Sequence, residues 1–125
     1  MPLRCVIVDD NASFRDEVRG LLQEQGLDVV GTAGSADEAL LRIEELEPDI
    51  ALIDIDLGDE SGLELARRVG DRTQPILIST HDEGEYADLI AASPAAGFVA
   101  KSKLSATAIR HVLRGASPSD ERRGT

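Results

Sequence analysis

Four short apolar runs in this chain each stop on a polar residue: CVIVDD at Asp9 and Asp10, IALID at Asp54, ILIST at Ser79 and GFVAK at Lys101. Each run has the length of a fully buried strand, and the stretches between them carry helical periodicity. That alternation specifies a parallel sheet covered by helices. In such a sheet the carboxyl ends of all strands open on one edge, so residues distant in sequence meet in one cleft. Here the cleft would collect three carboxylates, a hydroxyl and an amine.

The elements follow from local signals. Leu3 to Asp9 reads as a first strand. Asn11 and Ser13 offer capping oxygens to a periodic stretch, Phe14, Val18, Leu21 and Leu22, that ends at Gly26. Val29 to Ala33 is a second strand, and Ser35 caps Ala36 to Leu46, with Ala39, Leu40, Ile43 and Leu46 on one face and Pro48 closing it. Ile50 to Asp54 is the third strand. A loop rich in turn formers, Asp56 to Gly62, then leads into a helix over Leu63 to Val69. Pro75 to Ser79 is the fourth strand, followed by a polar HDEGE loop and a short helix from Tyr86 to Ala92. Ala96 to Ala100 is the fifth strand and Ser105 to Leu113 the last helix. The order βα, five times over, winds with right-handed crossovers into one α/β sheet of order 2-1-3-4-5. Residues 1–115 form the expected domain, and 116–125, polar and patternless, a flexible tail or linker stub.

Composition narrows the function. With 125 residues, 42% of them hydrophobic, the chain can bury a core without staples. Its single cysteine, Cys5, lies inside the first strand and is expected to pack as a small hydrophobe. MPLRCVIVDD has no apolar stretch of signal-peptide length and no segment reaches membrane-spanning length, so a soluble, cytoplasmic protein is expected. A net charge of −11 argues against direct contact with nucleic acid or an anionic membrane. Only two lysines are present, Lys101 and Lys103, so a lysine closing an apolar strand is not random surface scatter.

Strand order 2-1-3-4-5 sets the ends of strands one and three side by side, bringing Asp9, Asp10 and Asp54 face to face with Ser79 and Lys101 beside them. Three converging carboxylates repel one another unless a cation neutralises them, and an all-oxygen site with spare water positions suits Mg2+. A cation there would draw in a phosphorylated molecule and let Asp54 attack phosphorus to give an acyl phosphate. Lys101 would supply a positive charge for one phosphoryl oxygen and Ser79 a hydroxyl for another. No glycine-rich phosphate loop is present, which argues against nucleotide hydrolysis of that kind.

VIVDDN, ALIDIDLGDESGLELARR, ISTHDEGEY and GFVAKSKLSATAIRHVL, in that order, resemble the receiver domain of two-component response regulators, from Leu3 to about Gly115. The pieces around Lys101 are most similar to receivers that carry a helix-turn-helix output. The resemblance implies a flavodoxin-like fold and a phosphorylation-dependent switch rather than a turnover enzyme. Asp54 would be the phosphoacceptor, with Asp9, Asp10, Asp54 and the backbone carbonyl of Asp56 holding Mg2+. Lys101 would pair with the phosphoryl group or with Asp54. Ser79 would be the switch hydroxyl, with Thr80 as its rival, and Phe98 the aromatic that moves with it. Asp56 and His81 would tune dephosphorylation. A histidine kinase or phosphotransfer protein would be the donor, and partner binding or homodimerisation the response.

Gly58 stands where the family often has proline and is expected to loosen the loop after the acceptor. A receiver-like interaction module that is never phosphorylated would be marked by a lost acidic or lysine position, and none is lost. The pair Asp54 and Asp56 also resembles that of haloacid-dehalogenase phosphatases, but there the pair follows the first strand and here it follows the third. The sequence leaves open the cognate kinase, the stimulus, the phosphoryl lifetime, the oligomeric state and whether an output domain follows Thr125 in a parent chain.

Overall fold

A computed structural model describes residues 3–80 and 87–114. Five sheet strands alternate with five helices: β1 (Arg4–Val8), α1 (Ala12–Glu24), β2 (Asp28–Ala33), α2 (Ala36–Leu46), β3 (Ile50–Asp54), α3 (Gly62–Val69), β4 (Gln74–Ser79), α4 (Ala87–Ala91), β5 (Gly97–Ala100) and α5 (Ala106–Leu113). The strands are all parallel, and counting only these five their order is 2-1-3-4-5, as the sequence predicts. The central strands read as continuous apolar runs because helices cover both faces.

Alternation along each strand divides the core into two layers. Cys5, Ile7, Leu52, Ile76, Ile78 and Val99 face α1 and α5, where they meet Val18, Leu22, Ile109 and Val112. Val6, Val8, Ala51, Ile53 and Leu77 face the other way, toward Ala39 and Ile43 of α2, Leu65, Ala66 and Val69 of α3, and Ile90 of α4. Each fully buried Leu or Ile contributes about 1.5–3 kcal/mol. Cys5 is buried, and burial pushes its thiol up to about 12, so it is inert at neutral pH.

Side-chain oxygens start four helices. Asn11, Ser35, Ser61 and Ser105 accept from the backbone N–H of Phe14, Glu38, Glu64 and Ala108. Of the two oxygens offered before α1, Asn11 takes the cap and Ser13 lies inside the helix. The second helix ends on Glu47 in the left-handed region (φ 48°), and Pro48 prevents its continuation.

Three details differ from the expectation. Leu21 is 38% exposed, its position turned off the inward stripe of α1, whereas Leu65 of α3 is a core residue. The segment after the third strand is not merely a loop, since Asp56–Leu57 and Glu60–Ser61 pair as a short antiparallel ladder. A single 3-10 turn over Lys101–Lys103 separates β5 from α5. The onset of the fourth helix at Tyr86 and the tail at 116–125 lie outside the described residues. No helix among the described residues is long and apolar enough to cross a membrane.

Candidate functional site

The ends of β1, β3 and β5 bring the predicted charges together. Asp9 follows β1 directly, held by its N–H to Ala33 O at 3.0 Å, and is 0% exposed. Asp54 ends β3 and is 6% exposed, while Asp10 is exposed. One carboxylate oxygen from each of Asp9, Asp10 and Asp54 lies within 4.8 Å of the others. Strand parity explains the convergence: Asp9 continues the alternation of Cys5 and Ile7, Asp54 that of Leu52, and Lys101 that of Val99, all toward the α1/α5 side.

Lys101 closes the cluster. Its Nζ donates to Asp54 Oδ2 at 2.9 Å and lies 2.7 Å from Asp9 Oδ2, with its side chain 14% exposed. The Asp9 contact is a close ion pair at a fully buried carboxylate. The other two oxygens are occupied locally: Asp9 Oδ1 accepts from Asn11 N at 2.8 Å and Asp54 Oδ1 from Asp56 N at 3.0 Å. Arg15 Nη1 donates to the Asp9 carbonyl at 2.6 Å, tying α1 to the strand end.

Burial holds the Asp54 carboxyl above its ordinary range, against the opposing pull of Lys101 and the Asp56 N–H, with the Asp9 charge adding to the rise. Burial pulls the Lys101 ammonium down, but Asp9 and Asp54 outweigh it and the net direction is up. Among the described residues, two of the three clustered carboxylates share one ammonium and Asp10 is exposed, an all-oxygen set that fits a small divalent cation.

The loop after Asp54 is tied to the frame on both sides of Gly58. Gly58 takes φ +64°, which turns the short ladder, and a side chain there would come within 3.2 Å of Asp10 Oδ2. Ile55 N donates to Ile78 O, Gly62 N to Ile55 O, and Glu60 Oε1 accepts from Ala36 N at the start of α2. A Cβ on Gly62 would run into the Asp54 carbonyl, so the loop passes directly beneath the strand end. Asp56 is exposed.

Ser79 ends β4, 1% exposed and in register with Ala100, the residue before Lys101. By alternation it shares the α3/α4 side with Leu77 and Phe98, and Phe98 packs there, partly buried. Thr80 lies beyond the strand and is exposed. His81 lies outside the described residues.

One neighbour of the site was not legible in the sequence as such. The ring of Phe14, in the first turn of α1, has Lys101 Nζ 4.3 Å from its centroid. Helical periodicity marks Phe14 only as an inward residue, and nothing local in the sequence predicts a cation against it.

The family model described as response regulator receiver domain matches residues 5–114. The chain is 37% identical to the DNA-binding transcriptional activator DevR/DosR of Mycobacterium tuberculosis, over 96% of this chain and 58% of that protein. It is 40% identical to the virulence transcriptional regulatory protein PhoP of Salmonella typhimurium, over 66% of this chain and 37% of that one. Among solved structures it is similar to the signal receiver domain of the putative response regulator NarL from Mycobacterium tuberculosis, with a TM-score of 0.76, 31% identity and coverage of 93% and 98%. The chain spans between 23% and 58% of the length of such curated relatives.

Proposed function

We propose a phosphoryl-switch mechanism from one premise: the chain belongs to the response regulator receiver domain family. Receiver domains of response regulators are signalling domains of two-component systems, not turnover enzymes. Asp54 is the phosphoacceptor in this reading. The observation that carries it is the placement of a buried Asp54 carboxylate between Lys101 Nζ and the Asp56 N–H, within reach of Asp9 and Asp10.

In the transfer step an oxygen of ionised Asp54 bonds to phosphorus as the bond from phosphorus to the donor breaks. The electron pair leaves with the donor, the imidazole of a phosphohistidine on a kinase or phosphotransfer protein. Asp9, Asp10, Asp54 and the Asp56 carbonyl would hold Mg2+, which when bound neutralises carboxylate and phosphoryl charge. Lys101, already on Asp54, follows the new charge to a phosphoryl oxygen. Ser79 donates its hydroxyl to another, supported over Thr80 by its place at the end of β4 in register with Ala100, next to Lys101. The Phe98 ring then repacks and carries the change to the surface, where a partner or a second copy reads it. Asp56 and His81 set how fast water removes the phosphoryl group.

Residues 1–115 constitute the receiver unit in this reading, with 116–125 as tail or linker stub, supported by the family match over 5–114. A cytoplasmic location fits the chemistry of the donor. The output, by analogy with the name of DevR/DosR, is a DNA-binding domain in a longer parent chain, since a net charge of −11 leaves the receiver itself ill suited to DNA. Intact mass after incubation with acetyl phosphate and Mg2+ tests the reading. One phosphoryl adduct is expected, absent with EDTA and absent in Asp54→Asn, and its persistence in that variant would refute the assignment.

A further inference from the structure

We propose that Phe14 is a positioning residue for Lys101, holding the ammonium over its ring face through a cation–π contact so that the charge stays at Asp54 when the carboxylates are claimed by other partners. The inference rests on the phosphoacceptor reading above and adds to it a residue that reaches the reaction only through Lys101.

The geometry supports a specific role. Among the described residues Lys101 Nζ has three attractive neighbours: Asp54 Oδ2 at 2.9 Å, Asp9 Oδ2 at 2.7 Å, and the Phe14 ring at 4.3 Å from its centroid. A divalent cation drawn to the cluster competes for the two carboxylates and repels the ammonium. The ring face is the one surface of the three that the cation does not claim. With the Lys101 side chain largely removed from solvent, the contact is worth more than it would be at an open surface.

Phe14 is also fixed from behind. Asn11 Oδ1 accepts from its N–H at 3.0 Å, and Arg15, next in the helix, is hydrogen-bonded to the Asp9 carbonyl. The helix turn carrying the ring is therefore referenced to the same strand end as the carboxylates. Phe14 additionally packs against the α1/α5 core layer, a task that a leucine of similar burial would perform. The two roles separate by chemistry, because core packing responds to volume and a cation–π contact responds to the electron density of the ring.

The test uses the full chain with Phe14→Leu, Phe14→Trp and a series of mono-, di- and trifluorinated phenylalanines at position 14, each checked for an unchanged melting temperature. Two quantities are read: the ring-current displacement of the Lys101 εCH2 signals by NMR, and the rate of adduct formation from acetyl phosphate at fixed Mg2+. The expected result is a displaced signal in the wild type that is lost in Phe14→Leu, a rate on the order of 5-fold lower in that variant, near-wild-type rate in Phe14→Trp, and a graded fall with each added fluorine. A flat rate across the fluorinated series, or a leucine variant as fast as the wild type, overturns the inference and leaves the phosphoacceptor reading standing. A wild type that forms no adduct while its Lys101 signals remain displaced overturns the phosphoacceptor reading, and the positioning role with it.

Discussion

The centre of the sheet and its β5 edge are built differently. In the centre, β1, β3 and β4 are buried almost throughout, each pairs with strands on both flanks, and Asp9 and Asp54 are pinned by hydrogen bonds from Asn11, Asp56 and Arg15. On the other side, β5 is an edge strand of four residues, of which only Val99 is buried, and α4 presents one buried residue, Ile90, with Leu89 exposed beside it. A cavity of about 540 Å³ opens along β5 and α5, lined by Phe98, Lys103, His111 and Arg114 among others. The contrast separates the acceptor carboxylates, preorganised by a dense frame, from Phe98 and α4, which sit where repacking is cheap.

The comparison can be broken most severely at Gly62. Gly62→Val forces a side chain into the Asp54 carbonyl and should cost about 3 kcal/mol of stability, read from urea unfolding. At the edge, Phe98→Ala removes a side chain from a partly buried setting and should cost about 1–2 kcal/mol, below the range for a fully buried phenylalanine. A cost of about 4 kcal/mol or more would show the edge to be as tightly packed as the centre. At the site itself, Lys101→Met removes the ammonium that competes with metal for Asp9 and Asp54, and Mg2+ should bind on the order of 10-fold more tightly, measured by amide NMR titration.

The smallest effect concerns pH. The folded-state pKa of Asp54 is raised, so between its ordinary value near 3.8 and that raised value the folded protein binds the extra proton. Stability should therefore fall as pH rises through this window and then level off. Asp54→Asn should lack that component of the pH profile in chemical denaturation, and an identical profile in both proteins would contradict the burial of a costly charge.

Much of the strand-end cluster was legible in the sequence because its signals are local. Continuous apolar runs report burial on both faces, and a polar residue closing such a run reports the strand end, which is why Asp9, Asp54, Ser79 and Lys101 fall where the pattern puts them. What escaped depends on tertiary contact. A two-residue ladder has too few positions for any period, so 56–57 and 60–61 looked like an open loop, and the turn at Gly58 that closes them did not show. The outward drift of Leu21 reflects helix rotation set by packing on the sheet. The bond from Ala106 N to Gln25 Oε1, which ties the start of α5 to the end of α1, and the approach of Lys101 to Phe14 join segments that share no sequence pattern.

Amide hydrogen exchange before and after stoichiometric phosphorylation tests whether a fixed sheet centre drives a loosely packed β5 edge. Unchanged protection is expected in β1 and β3 and altered protection in α4 and β5. Altered protection confined to β1 and β3, or spread evenly over the sheet, would contradict this expectation.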